Sequence, residues 1–300
     1  SVSRLAYALD GRLQGVPRID TFRQLDISAV TLNSVALEIW LGFIFIRFRT
    51  PETGARSVAE QMAPVTSDVM PYKPEQLEPL LPASVESKPF NWKTIHDVDN
   101  EGYHVPTGHP ALHQLYGDHY VDTMKGGVMV SHAQLNSQPA RNWSVRHYQS
   151  ILPAFDHLPE SYQKQWYYTQ LFPNLVFGFY PDMTEVYMTL PVSPTETRMV
   201  SRTYALPDTR RETQAARYLN MRINTLTADE DDKFVSWLES AMRSSAWSPP
   251  VLSELESGVR HYHHLIQQQL PITTLANEPD NDKLKHVNAE MRQKLANSSS

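Results

Sequence analysis

Residues 175–206 constrain the fold more than any other part of the chain, because three strand-like stretches follow one another closely there. The stretches 175–180 and 185–190 are rich in apolar and aromatic residues, and the turn dipeptide Pro181-Asp182 lies between them. The third stretch, 198–206, alternates apolar and polar side chains, as a strand with one buried face does. Short connections join strands antiparallel, so this segment predicts an antiparallel sheet.

Helical periodicity marks much of the remaining chain, in the segments 91–105, 211–223, 230–243 and 253–269. Strands grouped together and followed by helices predict an α+β domain. The proline-rich, acidic stretch 51–89 is predicted to be a long connection with little regular structure, and residues 111–150 show no clear pattern. The polar tail 277–300 is expected to be flexible, although 282–295 can form an exposed helix.

Composition limits the chemistry that the chain can carry. None of its 300 residues is cysteine, which excludes disulfides, thiol nucleophiles, thiolate zinc sites and all-cysteine iron–sulfur clusters within it. Its 12 histidines and 33 acidic residues leave nitrogen and oxygen atoms as metal ligands, and its net charge of -6 argues against a nucleic-acid partner. The longest apolar run, 35–46, contains Glu38 and fits buried strands better than a membrane span. Residues 1–20 lack a signal peptide, so we expect a cytoplasmic protein.

Two histidines, His104 and His109, stand on either side of a helix-breaking sequence that contains Pro106 and Gly108. The break ends the predicted helix and can turn His109 back toward His104, so that both imidazoles share one metal ion. Glu101 lies three residues before His104, close enough to hydrogen-bond a ligating ring and fix its tautomer. Asp97 shares that predicted helix face and is a candidate for a supporting carboxylate. A histidine pair at this spacing also arises by chance, so the pair alone leaves an incidental origin open.

The residues around this pair resemble the mononuclear iron motif of Rieske-type non-haem iron oxygenase (ring-hydroxylating oxygenase) α subunits, in the order Asn91-Trp-Lys, then Glu101-x-Tyr-His104-x4-His109-Pro. The resemblance implies that His104 and His109 ligate Fe(II). It also implies that Glu101 passes electrons from a [2Fe–2S] Rieske cluster in a neighbouring subunit. Where many relatives have Glu-Asn, this chain has His96-Asp97, so the roles of those two residues stay open.

A facial triad needs a carboxylate as its third ligand, and the acidic run 229–232 offers four. Acids are favoured at the start of a helix by its dipole, which explains most of the run without any chemistry. Helical phase singles out Asp231, because the positions 3, 4, 7 and 11 residues later form an apolar stripe of Phe234, Val235, Leu238 and Met242. The resemblance selects the same residue, since relatives that oxidise quaternary ammonium compounds carry a pair similar to Glu230-Asp231.

The resemblance also implies an architecture, a cup-shaped helix-grip catalytic domain with a mostly antiparallel sheet. On this basis residues 1–50 are the end of a β-rich Rieske domain, residues 51–276 the catalytic domain and residues 277–300 a tail. The first residues resemble the segment after the second Cys–His pair of the cluster motif, with Ser3 where a ligand histidine would fall. The chain therefore does not ligate the cluster, either because it is a fragment or because a natural form has lost its route for electrons.

The function implied is O2-dependent monooxygenation or oxidative demethylation of a quaternary ammonium or similar small substrate. Electrons would come from an NAD(P)H-dependent reductase, and relatives commonly form trimers. The aromatic segment 162–168 is either a cation cage or ordinary core. Three alternatives remain: an aromatic-ring hydroxylating core, a non-catalytic module that binds hydrophobic ligands, and a hydrolytic zinc site with the same ligands.

Overall fold

The computed structural model describes residues 5–48 and 56–298, and the chain divides into two units, Ser1–Glu60 and Gln61–Ser300. The first unit contains two small antiparallel sheets, formed by β1 (Ala6–Tyr7) with β2 (Leu13–Gly15) and by β3 (Ala36–Trp40) with β4 (Phe43–Arg47). Leu41 and Gly42 join β3 to β4 with φ of 50° and 85°, as a type I′ turn requires.

The apolar run 35–46 forms the β3–β4 hairpin, as predicted. The prediction that these strands are buried is wrong for one face of the hairpin. Side chains alternate between the two faces of a strand, so that Leu37 pairs with Ile46 and Ile39 with Ile44. All four of these side chains are exposed.

The second unit is built around one antiparallel sheet in which the strands follow the order β5-β12-β11-β10-β9-β8-β7, with β6 also paired to β12. Its strands are β5 (Glu78–Pro79), β6 (Ser84–Lys88), β7 (Val121–Lys125), β8 (Val128–Gln134), β9 (Gln165–Leu171), β10 (Leu175–Phe179), β11 (Thr184–Ser193) and β12 (Glu196–Ala205). The three predicted strands correspond to β10, β11 and β12, and the antiparallel prediction is confirmed.

The helices of the described residues are α1 (Val58–Val69), α2 (Trp92–Asp99), α3 (Val105–Gly108), α4 (Pro110–Tyr116), α5 (Trp143–Ile151), α6 (Arg211–Met242), α7 (Ser257–Gln269) and α8 (Leu284–Ser298). The prediction of two helices over 211–223 and 230–243 is wrong, because α6 is continuous. Thr225 and Thr227 donate side-chain hydrogen bonds to the carbonyls of Met221 and Ile223 one turn earlier, so these polar residues are satisfied inside the helix. No helix among the described residues combines the length and apolar character that a bilayer span needs.

The prediction that 51–89 lacks regular structure is also wrong, since α1, β5 and β6 lie within it. Helix α1 contains Pro64, which removes one backbone hydrogen bond. Met62, Val65 and Val69 lie on one face of the helix and are at most 1% exposed, so burial of this stripe offsets the proline. The many prolines in this stretch hid the helical period.

A core of aromatic and aliphatic side chains fixes the sheet against α4, α5 and α6. Trp166 on β9 is fully buried, and its ring lies 5.7 Å from that of Tyr148 on α5 and 5.9 Å from that of Tyr116 on α4. Leu219 and Ile223 on α6 belong to the same cluster. This packing holds α6 beside the segment that carries the two motif histidines.

Candidate metal centre

The chain around His104 and His109 bends twice. Helix α2 ends at Asp99, so the prediction of one helix over 91–105, with Asp97, Glu101 and His104 on a single face, is wrong. His104 precedes the single turn of α3, and His109 lies between α3 and α4. Pro106 is the second residue of this turn and does not end a helix, since a proline near a helix start loses no intrahelical hydrogen bond.

These bends bring the two imidazoles to Asp231 of α6. The Nε2 atoms of His104 and His109 are 3.0 Å apart, and Oδ1 of Asp231 lies 2.9 Å from the Nε2 of His109 and 3.7 Å from that of His104. Two donors about 3 Å apart subtend roughly a right angle at an ion about 2.1 Å from each. The three atoms therefore have the spacing of a facial triad. In the described residues, they form the only cluster of three or more histidine and acidic side chains suited to a metal ion.

A carboxylate holds the far nitrogen of each imidazole. Nδ1 of His104 lies 2.5 Å from Oε1 of Glu101, and Nδ1 of His109 lies 2.9 Å from Oε2 of Glu230. An ionised carboxylate only accepts hydrogen bonds, so each Nδ1 donates, and Nε2 is the atom of each ring that can ligate a metal ion. The two Nε2 atoms are 3.0 Å apart, close enough for both to bind one metal ion once they have lost their protons.

Asp231 supports the same interpretation. Its Oδ1 is buried, and although ring nitrogens approach it closely, none of them does so with hydrogen-bond geometry. Burial tends to raise the pKa of Asp231, but the two imidazoles outweigh burial and lower it. Burial tends to lower the pKa of His104, but Asp231 and Glu101 raise it to about 10. The site is therefore rich in negative charge and attracts a cation.

Gly108 lets an aromatic ring pack against both imidazoles. A Cβ at this position would lie 2.8 Å from Cε2 and 2.9 Å from Cζ of Phe234. The Phe234 ring centroid is 6.0 Å from that of His104 and 5.9 Å from that of His109. Phe234 lies on α6 one turn after Asp231, so one helix supplies both the third ligand and the packing that fixes the other two.

Hydrogen bonds that involve β7 and β8 fix the loop that carries Glu101. The backbone N–H of Gly102 donates to Oδ2 of Asp122 at 2.6 Å, and Ser131 donates to Oδ1 of the same carboxylate. The ring of Tyr120 occupies the space that a side chain at Gly102 would need. These contacts fix the orientation of Glu101 toward His104.

Asp97 does not reach the three converging side chains. Its Oδ1 pairs with Nε2 of His263 at 2.7 Å, on α7. His96 is buried away from the site, and its Nε2 lies 2.7 Å from the hydroxyl of Thr189. Because α2 ends before Glu101, the shared helix face that suggested a supporting role for Asp97 does not exist.

Glu230 is the residue that sequence reasoning missed, because the acidic run was explained largely by a helix start. The run lies in the middle of α6, where the dipole argument does not apply. Asp231 and Glu230 face the two histidines, while Asp232 pairs with Lys88 at 2.7 Å. A second ligating imidazole also needs a carboxylate partner for its other nitrogen, and this requirement would have pointed to a residue such as Glu230.

A cavity of about 430 Å³ opens beside these residues, between the sheet and the helices. Among the described residues, it is lined by six carboxylates, on Glu86, Asp99, Glu101, Glu185, Asp229 and Asp231. Two basic side chains, Lys88 and Arg202, line it as well. Of the aromatic segment 162–168, only Tyr168 reaches the cavity, while Trp166 belongs to the core. Acids outnumber bases in the wall, so the cavity is suited to a cationic guest.

Two curated proteins share parts of this sequence. The chain is 32% identical to the carnitine monooxygenase oxygenase subunit of Escherichia coli (strain K12) over 123 residues, which are 40% of this chain and 32% of that protein. It is 25% identical to the putrescine 2-hydroxylase of Bordetella bronchiseptica over 284 residues, which are 87% of this chain and 59% of that protein. The chain thus matches less than two thirds of the length of either relative.

The fold has a counterpart among solved structures. A quaternary ammonium Rieske monooxygenase superposes with a TM-score of 0.69 at 18% identity, over 89% of this chain and 70% of that one. The mixed fold with an antiparallel sheet is therefore that of a Rieske oxygenase catalytic domain. Residues 63–272 also match the family described as ring hydroxylating alpha subunit (catalytic domain). Because this match covers more than half of the chain, the chain belongs to the family of ring-hydroxylating α-subunit catalytic domains.

Proposed function

We propose that this chain is the catalytic part of a mononuclear non-haem oxygenase that holds Fe(II) through His104, His109 and Asp231. The observation that carries the proposal is the convergence of the Nε2 atoms of His104 and His109 with one carboxylate oxygen of Asp231 at the wall of a cavity. Two imidazoles and one carboxylate on one side of the ion are typical of oxygen-activating iron sites. When bound, the iron supplies the activation of dioxygen beside the substrate.

The chain's own residues hold and orient the site. Glu101 and Glu230 keep the two histidines in the tautomer that leaves Nε2 free. Phe234 packs against both rings and limits their rotation. The acidic wall of the cavity supports an organic ammonium compound as substrate, with monooxygenation or oxidative demethylation as the reaction. The two curated relatives, a carnitine monooxygenase subunit and a putrescine hydroxylase, agree with this class.

We further propose that electrons reach the site through Glu101 from a Rieske cluster that this chain does not ligate. Glu101 is suited to this role because one carboxylate contacts both the ring and the backbone N–H of His104. Residues 1–50 are then the end of a Rieske domain and residues 51–276 a helix-grip catalytic domain. An NAD(P)H-dependent reductase and a trimer complete the proposal. Inter-subunit electron transfer in the superposing quaternary ammonium monooxygenase supports it.

The test is metal content after anaerobic reconstitution with Fe(II). We expect one iron per chain in the wild type and a large loss in His104→Ala and Asp231→Ala. His132→Ala is the matched control, because His132 lies on β8 outside the triad. Iron that is absent from the wild type, or equally retained in all three variants, would contradict the proposal. Equal support of hydrolysis by zinc, without any need for dioxygen, would favour the hydrolytic alternative.

A further inference from the structure

A half-buried carboxylate in the cavity wall, that of Glu185, has no cationic partner among the described residues. Glu185 lies on β11, and among the described residues its side chain has one hydrogen bond, from the hydroxyl of Tyr180, 3.5 Å from Oε2. The basic side chains of the cavity wall are engaged elsewhere, since Lys88 pairs with Asp232 and Arg202 donates to the carbonyl of Leu81. Carboxylates that are largely shielded from water are normally paired, so this one has the character of a binding group.

A second acceptor faces the same hydroxyl. Oδ1 of Asn224 lies 3.4 Å from the Tyr180 oxygen. A chain of hydrogen bonds fixes the orientation of this amide, because Asn220 donates to the buried carboxylate of Asp182 and Asn224 then donates to Oδ1 of Asn220. The carbonyl oxygen of Asn224 must therefore point toward Tyr180 and the cavity, which Asn224 lines.

Hydrogen-bond donors are too few at this point of the cavity. Tyr180 has one proton to offer, and its two acceptors, Glu185 and Asn224, are both at the long limit of a hydrogen bond. The sheet makes room for the arrangement at Gly178, which pairs with Glu185 on one side and Tyr168 on the other. A Cβ at Gly178 would lie 2.5 Å from the Tyr180 oxygen. The missing complement is a positively charged group that donates hydrogen bonds.

We propose that Glu185, Asn224 and Tyr180 bind the protonated amine of the substrate and prefer an ammonium that carries an N–H over a quaternary one. This rests on the proposed function for the identity of the cavity and narrows its substrate class. One N–H together with the hydroxyl of Tyr180 supplies a donor to each of the two acceptors and the positive charge as well, whereas a quaternary ammonium supplies the charge alone. Burial raises the pKa of Glu185 to about 6, so the carboxylate is ionised near neutral pH and available to a cation.

The geometry places this subsite within the cavity that the metal ligands line. Tyr168 pairs across the sheet with Gly178, which itself pairs with Glu185, and Tyr168 lines the same cavity. A substrate amine held at Glu185 would thus keep the rest of the molecule inside the same space as His104 and His109. Glu185 is therefore proposed as a residue that determines specificity and positions the substrate.

Three ligands of similar size that differ only in the head group test the proposal by calorimetry near neutral pH. They are dimethylethanolammonium, with one N–H; choline, which is quaternary; and 3,3-dimethylbutan-1-ol, the neutral carbon analogue of choline. We expect the wild type to bind them in that order of decreasing affinity. Glu185→Gln should weaken binding of dimethylethanolammonium by about tenfold to hundredfold and leave the alcohol unchanged. The matched control is Glu86→Gln, because Glu86 lines the same cavity but already pairs with Lys88.

Several results would overturn the proposal: no detectable binding of the ligands by the wild type, an equal loss for all three in Glu185→Gln, or no loss at all. Choline binding as tightly as dimethylethanolammonium would refute the preference for an N–H. If Glu185→Gln does not fold, Glu185→Asp gives the same test, since the charge stays but retreats by one methylene. Iron content measured on the same samples separates the two proposals. A chain that discriminates the ligands without binding iron loses only the oxygenase function, and one that binds iron without discriminating loses only the subsite.

Discussion

The substitution Gly108→Ala tests how the metal ligands are held in place. Gly108 is helical, so alanine by itself should stabilise its turn by about 0.5–1 kcal/mol. Against this, the new Cβ would lie 2.8 Å and 2.9 Å from two ring carbons of Phe234 and 3.3 Å from Cδ2 of His104. Overpacking of this kind costs about 1–3 kcal/mol. We therefore expect a net loss of about 0–2.5 kcal/mol in the free energy of unfolding.

The same change should disturb metal binding, because the ring that must move contacts both imidazoles. We expect a loss of Fe(II) affinity of about tenfold or more, as for other residues that orient metal ligands. Urea denaturation measures the first effect, and competition with a chelator under anaerobic conditions measures the second.

A double-mutant cycle with Phe234→Ala tests whether the ring of Phe234 causes the effect of Gly108→Ala. Without the ring, the methyl group at position 108 has room, so Gly108→Ala should become neutral or stabilising through helix propensity alone. The change of sign between the two backgrounds is the expected result. If Gly108→Ala destabilises the protein equally with and without the ring of Phe234, the proposed packing is refuted.

Three further predictions follow from other contacts. Glu230→Gln should lower Fe(II) affinity by about tenfold to hundredfold, whereas Asp229→Asn should not, and equal effects would rule out a specific role for the former. Burial raises the pKa of Asp182 to about 6. The folded state therefore keeps this proton where the unfolded state has lost it, and the free energy of unfolding falls by up to about 3 kcal/mol as pH rises from about 4 to 6. Urea titrations should show that Asp182→Asn lacks this fall; a constant difference from wild type over that range would be evidence against it. Gly178→Ala should displace the hydroxyl of Tyr180, cost about 1–3 kcal/mol in urea and weaken binding of dimethylethanolammonium, and a variant unchanged in both respects would contradict the packing described.

The core of the candidate site could be predicted because its signals are local. His104 and His109 are five positions apart in the chain, and the phase of Asp231 depends only on the residues of its own helix. The antiparallel sheet was predictable for the same reason, since short turns connect its central strands. Local signals failed where one residue type serves two purposes. Pro106 was interpreted as the end of a helix but lies in the first turn of one. Pro64 lies within a helix that burial stabilises.

The remaining features depend on packing between distant parts of the chain. Glu230 meets His109 across 121 positions, and Phe234 meets Gly108 only because α6 lies beside the turn of α3. Tyr180 and Glu185 lie on either side of the turn between β10 and β11, but Asn224 comes from α6, and no spacing in the sequence relates it to them. The sequence alone determined which residues are able to ligate a metal and that an antiparallel sheet carries the domain. The tertiary structure decided which carboxylates orient those ligands and which one lacks a partner, because the partner of a buried charge is set by the packing of helices and strands and not by its neighbours along the chain.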